Sequence, residues 1–223
     1  MKVLVFGSTG GSGRAAVEYL LAQGHTVTAF TRRAEPAAPG VEAVRSVVGD
    51  VMSPADVERA VHGQDAVIVT LGIRENPFRV RLLGPARTRM GVRSAGTRNV
   101  IAAMRKHGVR KLVVQTSSGV GDTRDRLGLV VRLFFQLVLK PQIADTELQN
   151  ADVAGSGLDW ILVQPVHLTD AAEDAMPFTS LAGDVAALKV SRKAVGRFLA
   201  HAVHAPELVG KSVTVSGQSR ASA

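Results

Sequence analysis

Cysteine is absent from the 223 residues. That excludes disulfide frameworks, thiolate nucleophiles, iron–sulfur clusters and cysteine-ligated zinc. Aromatic residues make up only 4% of the chain, with one tryptophan and one tyrosine. Long apolar runs are missing too. The longest, 127–139, is broken by Arg132 and Gln136 and is too short to span a bilayer. The residues after Met1-Lys2 lack the long apolar region and small-residue cleavage site of a secretory leader. These absences lead to the expectation of a soluble, cytoplasmic protein with no membrane segment. Acids are also in the minority: 19 Asp and Glu face 27 Lys and Arg, for a net charge of +8. Twenty of the basic residues are arginine. Such basicity bears on anionic partners, not on fold.

What is present is a repeating strand–helix pattern. Residues 2–6 form an apolar strand, 14–23 a helix ended by Gly24, and 27–30 a second strand. Residues 44–48 read as a third strand. Ser53-Pro54 supplies a cap and a first-turn proline for a helix over 54–62. Strands at 65–71, 110–116 and 160–164 alternate with helices at 94–107, 126–139 and 143–156. The tail holds a short strand near 185–190, a helix over 192–204 and a strand over 212–216. The early strands are apolar throughout rather than alternating, so both faces are covered. The expected fold is α/β: one domain over 1–223 with a doubly wound, Rossmann-like parallel sheet. Residues from about 165 to 223 are expected to form a small substrate-side lobe.

The first turn carries the chemistry. Gly7-Ser8-Thr9-Gly10-Gly11-Ser12-Gly13 joins strand to helix with the spacing Gly-x-x-Gly-x-x-Gly, a variant of the dinucleotide fingerprint. Gly7 permits the sharp turn, Gly10 the approach of backbone to a diphosphate, and Gly13 close packing of helix on strand. The helix-start amides then receive the anion. A tight turn without a ligand is the alternative. At the end of strand two an acid would favour NAD; here stand Thr31-Arg32-Arg33. Paired guanidiniums suit a 2′-phosphate, so NADP is the expected cofactor, with NADPH preferred over NADH. The competing reading is that the arginines cap a solvated edge. Asp50 and Val51 are positioned for the adenine, and Leu71 and Gly72 bring backbone close to the cofactor.

These features, together with Gly49-Asp50-Val51, 65–72, 96–108, Thr116-Ser117, 156–160 and Gln164-Pro165-Val166-His167-Leu168, resemble the atypical short-chain dehydrogenases/reductases. The chain is most similar to the NAD(P)H-binding group that includes biliverdin reductase B, the flavin reductase. The resemblance runs through most of residues 1–170. It implies a nicotinamide near Ser117 and His167, with Arg74, Thr116, Pro165, His167 and Leu168 also at the cofactor. It implies as well that the helix beginning near Asp145, Glu147, Gln149 and Asn150 lies beside the active site.

The superfamily's usual proton donor is a tyrosine with a lysine four residues later. The lone Tyr19 belongs to the first helix, and position 136, four before Lys140, is Gln. That mechanism is absent. Two readings remain. In one, the protein is a reductase passing hydride to an electron-poor acceptor such as flavin or quinone, with His167 or solvent giving the proton and Ser117 holding nicotinamide or substrate. In the other, it binds NADPH without turnover, as a redox sensor or regulatory partner. His167 as a structural imidazole and Ser117 as a strand-end cap are the plainer alternatives. Arginines 74, 79, 81, 87, 89, 93 and 98 form a basic run. It lacks interleaved aromatics and any zinc or recognition-helix motif, which argues against nucleic acid. The run serves either an anionic acceptor or solvation. No metal site is expected, since His201, His204 and Glu207 lack further ligands. Monomer and homodimer are both open.

Overall fold

The structure, a computed structural model, describes residues 1–33, 44–72, 91–119 and 140–219. An eight-stranded sheet runs in the order β3-β2-β1-β4-β5-β6-β10-β8. Its first six strands are β1 (Lys2–Phe6), β2 (Thr26–Thr31), β3 (Val44–Val48), β4 (Ala66–Val69), β5 (Lys111–Gln115) and β6 (Asp159–Pro165). All are parallel. The chain winds outward from β1 to β3, then crosses back to place β4 on the other side of β1. Such a reversal opens a crevice at the carboxyl ends of β1 and β4, where doubly wound sheets bind ligands.

Among the described residues five α-helices cover the sheet: α1 (Gly11–Ala22), α2 (Pro54–Val61), α3 (Val92–His107), α4 (Lys140–Ala154) and α5 (Arg192–Ala202). Because side chains alternate along a strand, β1 feeds two cores. Val3 and Val5 join Leu20 of α1 and Leu199 of α5 on one face. Leu4 and Phe6 join Val57 of α2 and Val100 and Met104 of α3 on the other. All of these are fully buried. Burying a leucine such as Leu4 or Leu20 contributes about 1.5–3 kcal/mol.

Local chemistry sets the helix ends. Ser53 caps α2, its Oγ accepting from the Asp56 amide. Gly108 ends α3 with φ +70°, a conformation that favours glycine. The α3 N-terminus has no cap on its own chain segment. Asp145 of α4 supplies it, accepting from the Arg93 and Ser94 amides at 3.1 and 3.0 Å.

The tail extends the sheet. β10 (Lys211–Ser216) pairs in parallel with β6, and β8 (Phe178–Ser180) pairs antiparallel with β10 at the sheet edge. Helix α5 shares the α1 face. β7 (His167–Thr169) and β9 (Lys189–Ser191) form a separate parallel pair. The sequence pattern had no signal for β7 or β8. Each is three residues long, and partner strands define them. The helix expected over 126–139 lies outside the described residues.

Candidate functional site

The crevice is a cleft of about 670 Å³ at the ends of β1, β2, β4 and β5. Its base is the Gly7–Gly13 turn. Gly7 has φ +79°, and a Cβ there would sit 2.6 Å from the Thr70 carbonyl oxygen. Thr70 at the end of β4 donates through Oγ1 to the Phe6 and Gly7 carbonyls, at 3.0 and 3.2 Å, and ties the turn to the neighbouring strand. Gly13 packs directly on the Gly7 carbonyl, leaving no room for a Cβ. The Gly10 amide donates to the Gly7 carbonyl at 2.9 Å. The first helical bond runs from the Arg14 amide to the Gly10 carbonyl, and no side chain caps α1. The first turn of α1 also contains no acid. Uncapped amides and the positive end of the helix dipole therefore face the cleft, which is the arrangement that receives a phosphate.

The roles expected of Gly7 and Gly13 thus have a steric basis, and the cradle fits a dinucleotide diphosphate. Thr9, Gly10, Gly11, Ser12 and Gly13 line the cleft with Gly7. Arg32, Asp50, Val51, Leu71, Gly72 and Leu168 line it as well. Thr31 Oγ1 donates to the Arg33 carbonyl at 2.7 Å, shaping the turn that follows β2. Asp50 is built into another turn: its Oδ1 accepts from the Met52 amide, and its own amide donates to Asp56. That backbone bond, followed by Arg59, holds the Asp56 carboxyl below the usual carboxylate range. Gly96 of α3 packs against Val51 and Leu71, since a Cβ there would lie 3.0 Å from both side chains. This close approach fixes the floor of the cleft.

Other expected residues stand apart from the cleft wall. Arg33 is exposed and is not part of the lining. Thr116 and Pro165 are buried, and Ser117 is half-buried in the loop after β5. His167 is exposed and paired on β7 with Lys189 of β9. Leu168 lines the cleft, and strand alternation turns its neighbour His167 to the opposite face. Arg74 lies outside the described residues.

Several lining residues were not anticipated: Phe30, Thr70, Arg93, Gln115, Asp170 and Arg192. Thr70 belongs to a segment already marked as strand four, and its Oγ1 contacts are the feature that spacing does not reveal. Arg93 was visible only as one of a basic run. Its guanidinium lies beside Gly72, where a Cβ would be 3.3 Å from Nη2. Burial pushes the Arg93 pKa down, and the nearby Asp145 carboxylate opposes that shift. Asp145 is itself buried and already engaged with the α3 amides. Gln115 closes the same end of the cleft, its Oε1 buried and without a hydrogen-bond partner among the described residues. Gln149, fully buried, donates to Thr97 Oγ1 at 2.9 Å and serves the α3–α4 contact. Among the described residues no group of three His, Asp or Glu is arranged to hold a metal, and no helix is long and apolar enough to cross a membrane.

Residues 7–206 match the NAD(P)H-binding family. The chain belongs to that family. The fold also recurs in solved structures that share 15% and 21% of its sequence. A short-chain dehydrogenase/reductase from Veillonella parvula in complex with NADP superposes with TM-score 0.78 at 15% identity, covering 96% of this chain and 94% of that one. ChuY from Escherichia coli O157:H7, described as an anaerobillin reductase, superposes with TM-score 0.77 at 21% identity over the full length of both chains. In sequence, 120 residues are 36% identical to the 2-alkyl-3-oxoalkanoate reductase of Stenotrophomonas maltophilia, covering 54% of this chain and 34% of that protein. The chain therefore spans about a third of the length of that curated relative.

Proposed function

We propose that the protein is an NADPH-dependent oxidoreductase that passes hydride to an electron-poor, anionic acceptor such as a flavin, or to a quinone. The observation that carries this reading is the Gly7–Gly13 turn: its uncapped amides open into a cleft whose far end holds a second, otherwise unassigned polar wall. The reductase names of the relatives support the same reaction class. Bound nicotinamide supplies the hydride.

The chain's own groups divide the work. The amides of Gly11, Ser12 and Gly13 hold the diphosphate, while the Gly7–Thr70 contact keeps the turn rigid. Arg32, in the wall at the end of β2, takes the 2′-phosphate and sets the preference for NADPH. Asp50 and Val51 border the adenine, and Leu71, Gly72 and Leu168 border the nicotinamide half. Arg93 and Gln115 stand at the β4–β5 end, away from the cofactor's phosphates. A desolvated guanidinium there anchors a carboxylate or phosphate of the acceptor. With no Tyr/Lys pair, and with His167 turned from the wall, solvent supplies the proton that an electron-poor acceptor takes up. Ser117, two residues beyond Gln115 of the lining, hydrogen-bonds nicotinamide or substrate, and part of the segment from 165 onward borders the acceptor.

The test is titration of the purified protein with NADPH and NADH by nicotinamide fluorescence. FMN, riboflavin or a small quinone is then added, and reduced-cofactor absorbance is followed. The expected outcome is tighter NADPH binding with acceptor-dependent oxidation that falls in Ser117→Ala and persists in His167→Ala. Binding without oxidation by any acceptor would refute the reductase reading in favour of a sensor. Failure to bind either nucleotide would refute the cofactor site.

A further inference from the structure

Arg192 enters the cleft from the tail, far in sequence from the phosphate loop, and the cofactor reading above leaves it without a role. It is the first residue of α5, directly after the cap Ser191, whose Oγ accepts from the Ala194 amide at 2.9 Å. Small residues seat α5 tightly on α1. A Cβ on Gly196 would lie 2.7 Å from the Ala16 nitrogen and 2.8 Å from the Ser12 carbonyl oxygen. With the two helices in this contact, the start of α5 is registered against the start of α1. The Arg192 stem consequently lies over Gly11, the first residue of α1, so closely that a Cβ on Gly11 would collide with Arg192 Cδ. The guanidinium is held by Asp170, with Nη1 to Oδ1 at 2.8 Å, and both residues line the cleft. The Asp170 side chain is 86% exposed, whereas that of Arg192 is only 33% exposed.

We propose that Arg192 is a clamp on the cofactor's diphosphate, closing over the phosphates that the α1 amides hold from the other side. Asp170 is its resting partner and its competitor. An ion pair with so exposed a carboxylate is worth little, and a diphosphate presents the arginine fork with more charge and more acceptor oxygens. The tail is then part of the cofactor site, and α5 transmits its own seating on α1 to the phosphate loop. This inference rests on the dinucleotide reading of the cleft.

The clamp acts on the diphosphate, which NADPH and NADH share, whereas Arg32 acts on a phosphate that NADH lacks. Equilibrium titrations of the full chain with each nucleotide separate the two. Arg192→Gln is expected to raise both dissociation constants about tenfold or more, the size of a lost charge-assisted contact. Arg192→Lys recovers part of the loss, because charge remains without the fork. Asp170→Asn, which removes the competitor, is expected to tighten the binding of both nucleotides. The clamp is overturned if Arg192→Gln binds both nucleotides within about twofold of wild type. It is equally overturned if Asp170→Asn weakens binding as much as Arg192→Gln, since the ion pair would then be a scaffold. A wild-type chain that binds neither nucleotide defeats the cofactor reading itself.

Discussion

Adding one methyl group at Gly13 separates a ligand-binding turn from a merely tight one. In Gly13→Ala the new Cβ would overlap the Gly7 carbonyl and lie 2.6 Å from Thr70 Oγ1. Backbone cannot rotate away as a side chain can, so α1 must shift by roughly an ångström to restore ordinary contact. Overpacking of this kind costs about 1–3 kcal/mol, and alanine's better helix propensity returns about 1 kcal/mol. The net loss is about 0–2 kcal/mol, or roughly 0–8 °C in Tm for a domain of this size. Binding is expected to suffer more than folding, because the displaced amides are the proposed diphosphate donors. Losing one charge-assisted hydrogen bond, at about 1.5–3 kcal/mol, weakens NADPH roughly 10- to 150-fold. Gly24→Ala is the matched control. Its φ is +79° with nothing within 4 Å, so strain costs stability there without touching the cleft. Thermal melts and nicotinamide-fluorescence titrations on both variants give the readout. Wild-type affinity in Gly13→Ala, or equal loss of affinity in both variants, would refute the reasoning.

Removing the guanidinium in Arg32→Ala is expected to weaken NADPH about tenfold or more and NADH less than about threefold; equal effects on the two nucleotides would remove the 2′-phosphate role. Arg93→Met should raise KM for FMN about tenfold while leaving riboflavin within about threefold. A matching rise for riboflavin would mean that Arg93 does not read the phosphate. The third prediction concerns pH. His25 and His204 stack with ring centroids 4.7 Å apart and Nε2 atoms 2.8 Å apart, and the Met1 ammonium adjoins His25 Nδ1. Burial first, then the Met1 charge, then His204 push the His25 pKa below its ordinary value. A lowered folded pKa favours the neutral ring. Its stability is complete above about pH 6.5 and is lost as pH falls through the folded value. His25→Gln should therefore shrink the drop in Tm between about pH 7.5 and 5; an unchanged drop would place the acid sensitivity elsewhere.

The glycine turn and the first six strands were legible because their signals are local. Glycines at fixed spacing after an apolar strand report backbone demands that hold wherever the strand sits, and Ser53-Pro54 or Gly108 mark helix ends within a few residues. Uniformly apolar strands announced a sheet covered on both faces, which the two cores on either side of β1 bear out. Arg32, Asp50, Val51, Leu71 and Gly72 were found for the same reason: each follows directly from a strand end.

The remaining features depend on which elements meet. Asp145 caps a helix 52 residues earlier in the chain, a contact with no periodicity to betray it. His167 and Leu168 were equivalent in sequence until pairing with β9 decided which side chain of β7 turned toward the cleft. Arg192 reaches the phosphate loop only because Gly196 lets α5 settle onto α1, and the strands β7 and β8 exist only through their partners. Backbone conformation and burial pattern are properties of short segments, so the sequence alone determined the long parallel strands, their helices and the glycine turn between β1 and α1. Which charges gather around that turn is set by packing between distant segments, and only the tertiary structure decided it.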